Sequence, residues 1–451
     1  MRSIKFEALE DEILEVVVKY LTLVDRVRFE RVDKRWSHML SHQWSRQSTL
    51  LLICVYNPVF KNRYEEHQAY KSCPFVSHHV RDCDIFRQFS DEYIHESFES
   101  RRLNNIQIPP NYSILQRCPN LKALYWGGMC PQDFGTFLSD NCPKLKHLAV
   151  YDDQTTFMYI MNYEFLSQLK CLVYFDFTFY DEKINAAFLR KCTNLEVLNT
   201  HDISEYILQV ALTACRLSHL RITNCNASND ITSADSIIID TLIKHGVQLK
   251  SLSIKGICFD SDSFSRLCEK LQCLEKLYLS SLSSTGIDVN CLKSLHRLNR
   301  LKLDFNFNIA EQAIESYIVD NTAHRLKSLS ISEIDHSLFI KLLAKASELE
   351  KLTIRLSDVS SISKDNFPTL SKLTTLKIID PAFTAEILSL ILPKCVKLEK
   401  LVLHMLEKQV VRMLQKYAKK YYKRRLRIWS FGNRTAYYQA WHNLWVYVIR
   451  D

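Results

Sequence analysis

From Leu121 to Leu403 the chain spells one phrase twelve times, Leu-x-x-Leu/Phe-x-Leu/Ile, with an occasional aromatic or polar lapse. The copies begin at Leu121, Leu145, Leu172, Leu195, Leu217, Leu249, Leu274, Leu298, Leu326, Leu349, Leu373 and Leu398. Successive first leucines stand 22 to 28 residues apart, except for one 32-residue gap between Leu217 and Leu249. A unit of that length cannot bury its own leucines. It must lay down one short strand, cross back, and press its apolar side against the next unit. Within each strand the leucines then point one way and the third and fifth places of the phrase point the other.

The period predicts an α/β leucine-rich-repeat solenoid, a horseshoe with a parallel sheet on its concave face and helices outside. The crossovers read as helical: Phe264, Leu267 and Leu271 share a face, as do Leu338, Leu342 and Leu343, and Ile387, Leu390 and Ile391. Around this array the chain divides into four segments. Residues 1–46 form a small all-α domain, and 47–119 a linker with N-terminal capping repeats. Residues 120–404 form the solenoid of about 12 repeats, and 405–451 a basic and aromatic cap. Thr49–Val55 reads as a capping strand, and Leu103, Ile106 and Ile108 as one more degenerate repeat. The Ser/Asn/Asp-rich stretch from Asn224 to Ser236 reads as a loop. A basic helical stretch is expected to run to Arg427.

Solenoids grow by addition, so 451 residues with 47% apolar content suit one continuous core. Net charge is +9, from 59 basic and 50 acidic residues, which leaves no global nucleic-acid footprint. The first eleven residues already carry two basic and three acidic side chains, and no uncharged apolar run reaches membrane-spanning length. A cytoplasmic or nuclear chain without a membrane span is expected. Of the 15 cysteines, Cys118, Cys142, Cys192 and Cys395 each stand three residues before a first leucine. That recurrence marks a buried packing site rather than a disulfide framework. No metal-ligand spacing, phosphate-cradling glycine loop or nucleophile motif occurs among the 7 glycines and 15 histidines. Neither metal nor cofactor is expected, and no catalytic residue is assigned.

Leu9, Ile13, Val17 and Leu21 fall on one helical face, either a partner-binding surface or the inner face of a capping bundle. Residues 9–21, LEDEILEVVVKYL, followed by LVDRVRFERVDKRW at 23–36, resemble the F-box. This short helical module docks on the Skp-family adaptor of cullin-based ubiquitin ligases. Leu9, Glu12, Ile13, Leu14, Val17, Val18, Tyr20, Leu21, Asp25, Val32, Lys34 and Trp36 match the family pattern. Glu10 stands where the family usually has proline, and Asp33 where it often has cysteine. The resemblance implies a substrate receptor: Leu9, Glu12, Ile13, Leu14, Val17, Leu21, Val32 and Trp36 hold the adaptor and, through it, the cullin. The solenoid then holds a protein substrate, and tethering raises the local concentration of a conjugating enzyme.

The third and fifth places name the substrate-facing surface: Tyr125, His147, Tyr174, His219, Arg221, Lys276, Tyr278, Arg300, Lys302, Lys351 and Lys377, with Arg355 extending the column. From Leu274 onward no acid occupies these places. A surface of one sign favours an acidic or phosphorylated segment, although exposed lysine also keeps a sheet soluble. The C-terminal bases Lys416, Lys419, Lys420, Lys423, Arg424, Arg425 and Arg427 read as the solvated face of a cap, with nucleic acid the lesser alternative.

Overall fold

The computed structural model describes residues 11–20, 34–46, 49–53, 115–116, 119–127, 134–151, 163–176, 182–223, 233–282, 289–305, 325–334, 336–356, 368–378, 388, 391–403, 412, 414, 426–431, 440–441 and 444–449. It divides into two units, Met1–Leu217 and Ser218–Asp451.

One hydrogen-bonded turn recurs from repeat to repeat. The N–H of the first leucine donates to the carbonyl three residues earlier: Leu145 to Cys142 at 3.0 Å, Leu195 to Cys192 at 3.0 Å, Leu274 to Leu271 at 3.0 Å and Leu398 to Cys395 at 3.1 Å. The next two N–H groups then converge on one carbonyl of the preceding repeat. Lys250 O accepts from Glu275 at 2.8 Å and Lys276 at 3.0 Å; Glu350 O accepts from Thr374 at 2.8 Å and Thr375 at 3.1 Å. This pairing fixes where each strand starts against its neighbour.

In the first unit, β1 (Thr49–Ile53), β2 (Ala123–Gly127), β3 (His147–Tyr151), β4 (Cys171–Asp176) and β5 (Val197–His201) pair in parallel and in chain order. Two helices precede them, α1 (Asp11–Tyr20) and α2 (Lys34–Arg46). The crossovers carry α3 (Phe134–Asn141), α4 (Tyr163–Gln168) and α5 (Glu182–Lys191), and α6 (Glu205–Ala214) follows β5. Because β1 pairs directly with β2, no strand enters the sheet between them. The degenerate repeat expected at Leu103, Ile106 and Ile108 lies outside the described residues.

In the second unit, β6 (His219–Thr223), β7 (Ser251–Lys255), β8 (Lys276–Leu282), β9 (Arg300–Phe305), β10 (Ser328–Ile334), β11 (Lys351–Leu356), β12 (Thr375–Ile378), β13 (Lys400–Leu403) and β14 (Leu426–Phe431) again run parallel in chain order. The crossovers hold α7 (Ser233–His245), α8 (Ser261–Lys270) and α9 (His336–Lys345), with short 3-10 turns at Val289–Ser294 and Leu392–Lys394. Beyond β14, β16 (Leu444–Ile449) pairs parallel to it, and β15 (Ala440–Trp441) pairs antiparallel to β16.

The leucines of the phrase are the core. Leu249, Leu252 and Ile254 are fully buried, as are Leu145, Leu148, Leu195 and Leu198. Each contributes about 1.5–3 kcal/mol of burial, before chain entropy is set against it. Phe264, Leu267 and Leu271 are buried as expected, and Phe264 meets Phe259 edge to face at 5.9 Å. Among the described residues, side chains cap α6 and α8. Ile207 N–H donates to Ser204 Oγ at 3.4 Å ahead of α6. Asp260 accepts from Ser263 N–H at 2.7 Å and from Ser263 Oγ at 2.8 Å ahead of α8. The cysteine reading holds: Cys142, Cys192 and Cys395 form no disulfide and are fully buried at the turn. Burial pushes the thiols of Cys142 and Cys395 up to about 12. Cys118 lies outside the described residues.

Three expectations are corrected. The third copy of the phrase begins at Leu169, not Leu172: Leu169 N–H closes the turn on Leu166 O at 3.2 Å, and Cys171 pairs with His147. Spacings of 24, 24 and 26 residues from Leu121 to Leu195 follow from that start. Ser233 to Ser236 belong to α7 rather than to a loop, because Ser and Asp serve the first turn of a helix as readily as a turn. Arg427 lies in β14, beside Lys400 of β13, rather than in a helix.

Candidate functional site

The strand register gathers the third and fifth places into two columns, one on either side of each buried central leucine. In the second unit the third-place column reads His219, Ser251, Lys276, Arg300, Ser328, Lys351, Thr375, Lys400 and Arg427 from β6 to β14. The fifth-place column reads Arg221, Ser253, Tyr278, Lys302, Ser330, Thr353, Lys377, Val402 and Trp429. Eight lysines and arginines stand in these 18 positions, and no aspartate or glutamate. Hydroxyls fill most of the remainder. Neighbouring strands lie about 4.8 Å apart, so Lys276 beside Arg300 and Tyr278 beside Lys302 form a four-residue patch.

Exposure follows the alternation. Lys276, Tyr278, Arg300 and Lys302 are half-buried while Leu277 and Leu301 between them are buried; Lys351 is exposed. Ser218 Oγ lies 2.8 Å from His219 Nδ1 and orients that ring. Acids occur at the second places, at the strand entries, where Glu350 stands 4.0 Å from Lys327. Another, Asp304, pairs with Ser280 beyond the fifth place.

Of the expected surface residues, His219, Arg221, Lys276, Tyr278, Arg300, Lys302 and Lys351 take their places in the columns, and Arg355 pairs with Ser332 further along β11. Lys377 keeps its register but is only 9% exposed, enclosed rather than presented. Tyr174 is corrected: with the repeat starting at Leu169, the third and fifth places are Cys171 and Val173, and Tyr174 falls at a bulge between Val173 and Phe175. Arg427 and the hydroxyl positions were missed. Arg427 hides because its repeat has Arg425 where the first leucine belongs. The serines and threonines occupy the same lettered places as the cations and were readable by the same rule.

The first unit differs. Its third places are Thr49, Ala123, His147, Cys171 and Val197, and its fifth places Leu51, Tyr125, Ala149, Val173 and Asn199. None is lysine, arginine or an acid. His147 is half-buried, and its proton affinity is lowered by burial and by the charges of Lys170 and Lys146, with Glu196 opposing them.

At the N-terminal helices, α1 contacts α2. Leu14, Trp36, Met39 and Leu40 are buried. Ile13 at 47% and Val16 at 51% stay exposed, Glu12 is exposed and Val17 is half-buried. Burial thus falls to Leu14, leaving Ile13 outward on α1. Leu9, Leu21 and Val32 lie outside the described residues, as does the basic run from Lys416 to Arg425. Among the described residues no group of three or more His, Cys, Asp or Glu is placed to hold a metal ion. Among them, too, no helix is long and apolar enough to cross a membrane.

No family model matches the chain, and no curated protein matches it. Among solved structures it is similar to the Rad7 and Elc1 complex of yeast, with 15% identity, 65% of this chain and 73% of that chain covered, and a TM-score of 0.43. It is also similar to internalin C2 of Listeria monocytogenes, with 21% identity, 44% and 77% covered, and a TM-score of 0.26. At these distances the assignment rests on strand register and the recurring turn: the chain is an α/β leucine-rich-repeat protein.

Proposed function

We propose that this chain is the substrate-recognition subunit of an SCF-type (Skp–cullin–F-box) ubiquitin ligase. The N-terminal helices dock a Skp-family adaptor and, through it, a cullin; the repeat array binds a protein substrate. The chain performs no bond chemistry itself. It shortens the distance between substrate lysines and a conjugating enzyme.

The observation that carries this reading is the split on α1. Leu14 is buried, as are Trp36 and Leu40 on the helix that α1 contacts, while Ile13 and Val16 present two large apolar side chains to solvent. A small helical element with so few buried side chains gains stability by covering such a face with a partner. The F-box pattern says which partner.

Co-purification of the full chain with a Skp-family adaptor tests the proposal. The wild-type chain should capture the adaptor, and Ile13→Asp with Val16→Asp should abolish capture without lowering the thermal midpoint, since both sites are exposed. A wild-type chain that captures no adaptor reduces the protein to a non-ligase interaction scaffold.

A further inference from the structure

From β9 to β13, within the third-place column of the second unit, cations and hydroxyls alternate by strand. Arg300 stands on β9, Ser328 on β10, Lys351 on β11, Thr375 on β12 and Lys400 on β13. Cations on every second strand are about 9.6 Å apart. A chain extended as polyproline II has three residues per turn, so it turns every third side chain to the same side and advances about 9.3 Å between them. A partner segment crossing these strands therefore meets one cation with every third side chain, and a hydroxyl between. Acids at the strand entries, among them Glu350 and Glu399, border this track and repel an acidic chain that drifts off it.

We propose that β9–β13 form a docking track for an extended acidic protein segment with phosphoserine or glutamate at i, i+3 and i+6, engaged by Arg300, Lys351 and Lys400 in turn. This rests on the substrate-receptor reading and names the kind of sequence received. Phosphoserine is the stronger occupant because its oxygens accept both from the cations and from Ser328 and Thr375. The uncharged columns of the first unit offer no such register. A nucleic acid fits less well, since its phosphates follow one another with no requirement for a three-residue step.

The test is fluorescence anisotropy of the full-length chain with labelled peptides. One peptide carries phosphoserine at i, i+3 and i+6, a second glutamate at those positions, and a third the same phosphoserines contiguously. The spaced phosphopeptide should bind tightest, and R300E/K351E/K400E should weaken it by about tenfold or more at low salt. The variant K293E/K345E/K397E changes net charge equally at exposed sites outside the strands and should leave binding nearly intact. Equal weakening by both variants, equal binding of spaced and contiguous peptides, or tighter binding of single-stranded DNA of matched charge would each overturn the proposal. Adaptor capture by R300E/K351E/K400E, measured in parallel, reports on the ligase reading alone, because none of the three residues lies near the N-terminal helices in sequence.

Discussion

Strands of the first unit and strands of the second open on the same turn, as at Leu145 and Leu195 in one and Leu274 and Leu398 in the other, and bury their leucines alike, yet the residues opposite those leucines have different chemistries. In the first unit the two columns hold alanine, cysteine, valine, leucine, histidine, tyrosine, threonine and asparagine; in the second, lysine, arginine and hydroxyls fill all but three of the 18 places. Ala123 and Cys171 are each only 2% exposed, so part of the first face is sunk between neighbours. The contrast separates two roles within one phrase. First, fourth and sixth places keep the coils together, while third and fifth places decide what the sheet attracts.

If the frame is shared, core truncations should be equally severe in both units. Leu198→Ala and Leu277→Ala each remove a fully buried side chain. Each should lower local stability by about 2–5 kcal/mol, read by hydrogen exchange in the affected repeats. A loss confined to one unit breaks the comparison.

The turn gives a sharper test. Gly246 holds the place taken by Cys142, Cys192 and Cys395 elsewhere, but a Cβ there would sit 2.6 Å from Leu242 O and 3.2 Å from Leu249 Cδ1. Backbone oxygen cannot swing aside. Gly246→Ala should therefore destabilise the second unit by about 1–3 kcal/mol in urea denaturation, outweighing the chain-entropy benefit of alanine. Cys142→Ala in the first unit should cost less, since it only shortens a side chain. A neutral Gly246→Ala would show that the turns are not equivalent.

The smallest effect concerns charge in the uncharged column. His147 binds protons less readily in the folded chain than its ordinary 6.5. The unfolded chain therefore takes up the proton first, so stability is full above about pH 6.5 and falls as pH drops below it, levelling once the folded form also titrates. His147→Gln should flatten the stability-versus-pH curve of the first unit below pH 6.5. An unchanged slope would place the titration elsewhere.

Much of this was legible from residues alone. Leu145, Leu195 and Leu398 head phrases whose strands begin where the period puts them, and the cysteines three residues earlier are buried as that recurrence implied. Phase was harder. Leu172-Val-Tyr-Phe-Asp-Phe satisfies the phrase as well as Leu169-Lys-Cys-Leu-Val-Tyr does, and only the hydrogen bond from Leu169 to Leu166 decides between them. The strand at Arg427 was hidden by Arg425 in the leucine's place, and by a run of lysines and tyrosines that suits a helix. For Lys377 composition was misleading: long stems sink between strands while a lysine still reads as surface. On α1, helical spacing alone cannot tell which of Ile13 and Leu14 turns inward, because both lie beside the apolar stripe.

The two N–H groups that converge on each second-place carbonyl have a further consequence. At Lys146, Lys250, Glu275, Lys327 and Glu350 those carbonyls tie one coil to the next through main-chain atoms, so the third- and fifth-place side chains bear little of that cohesion. Single substitutions there can recast what the surface holds while heat tolerance stays where it was, and the scaffold can outlive many such revisions.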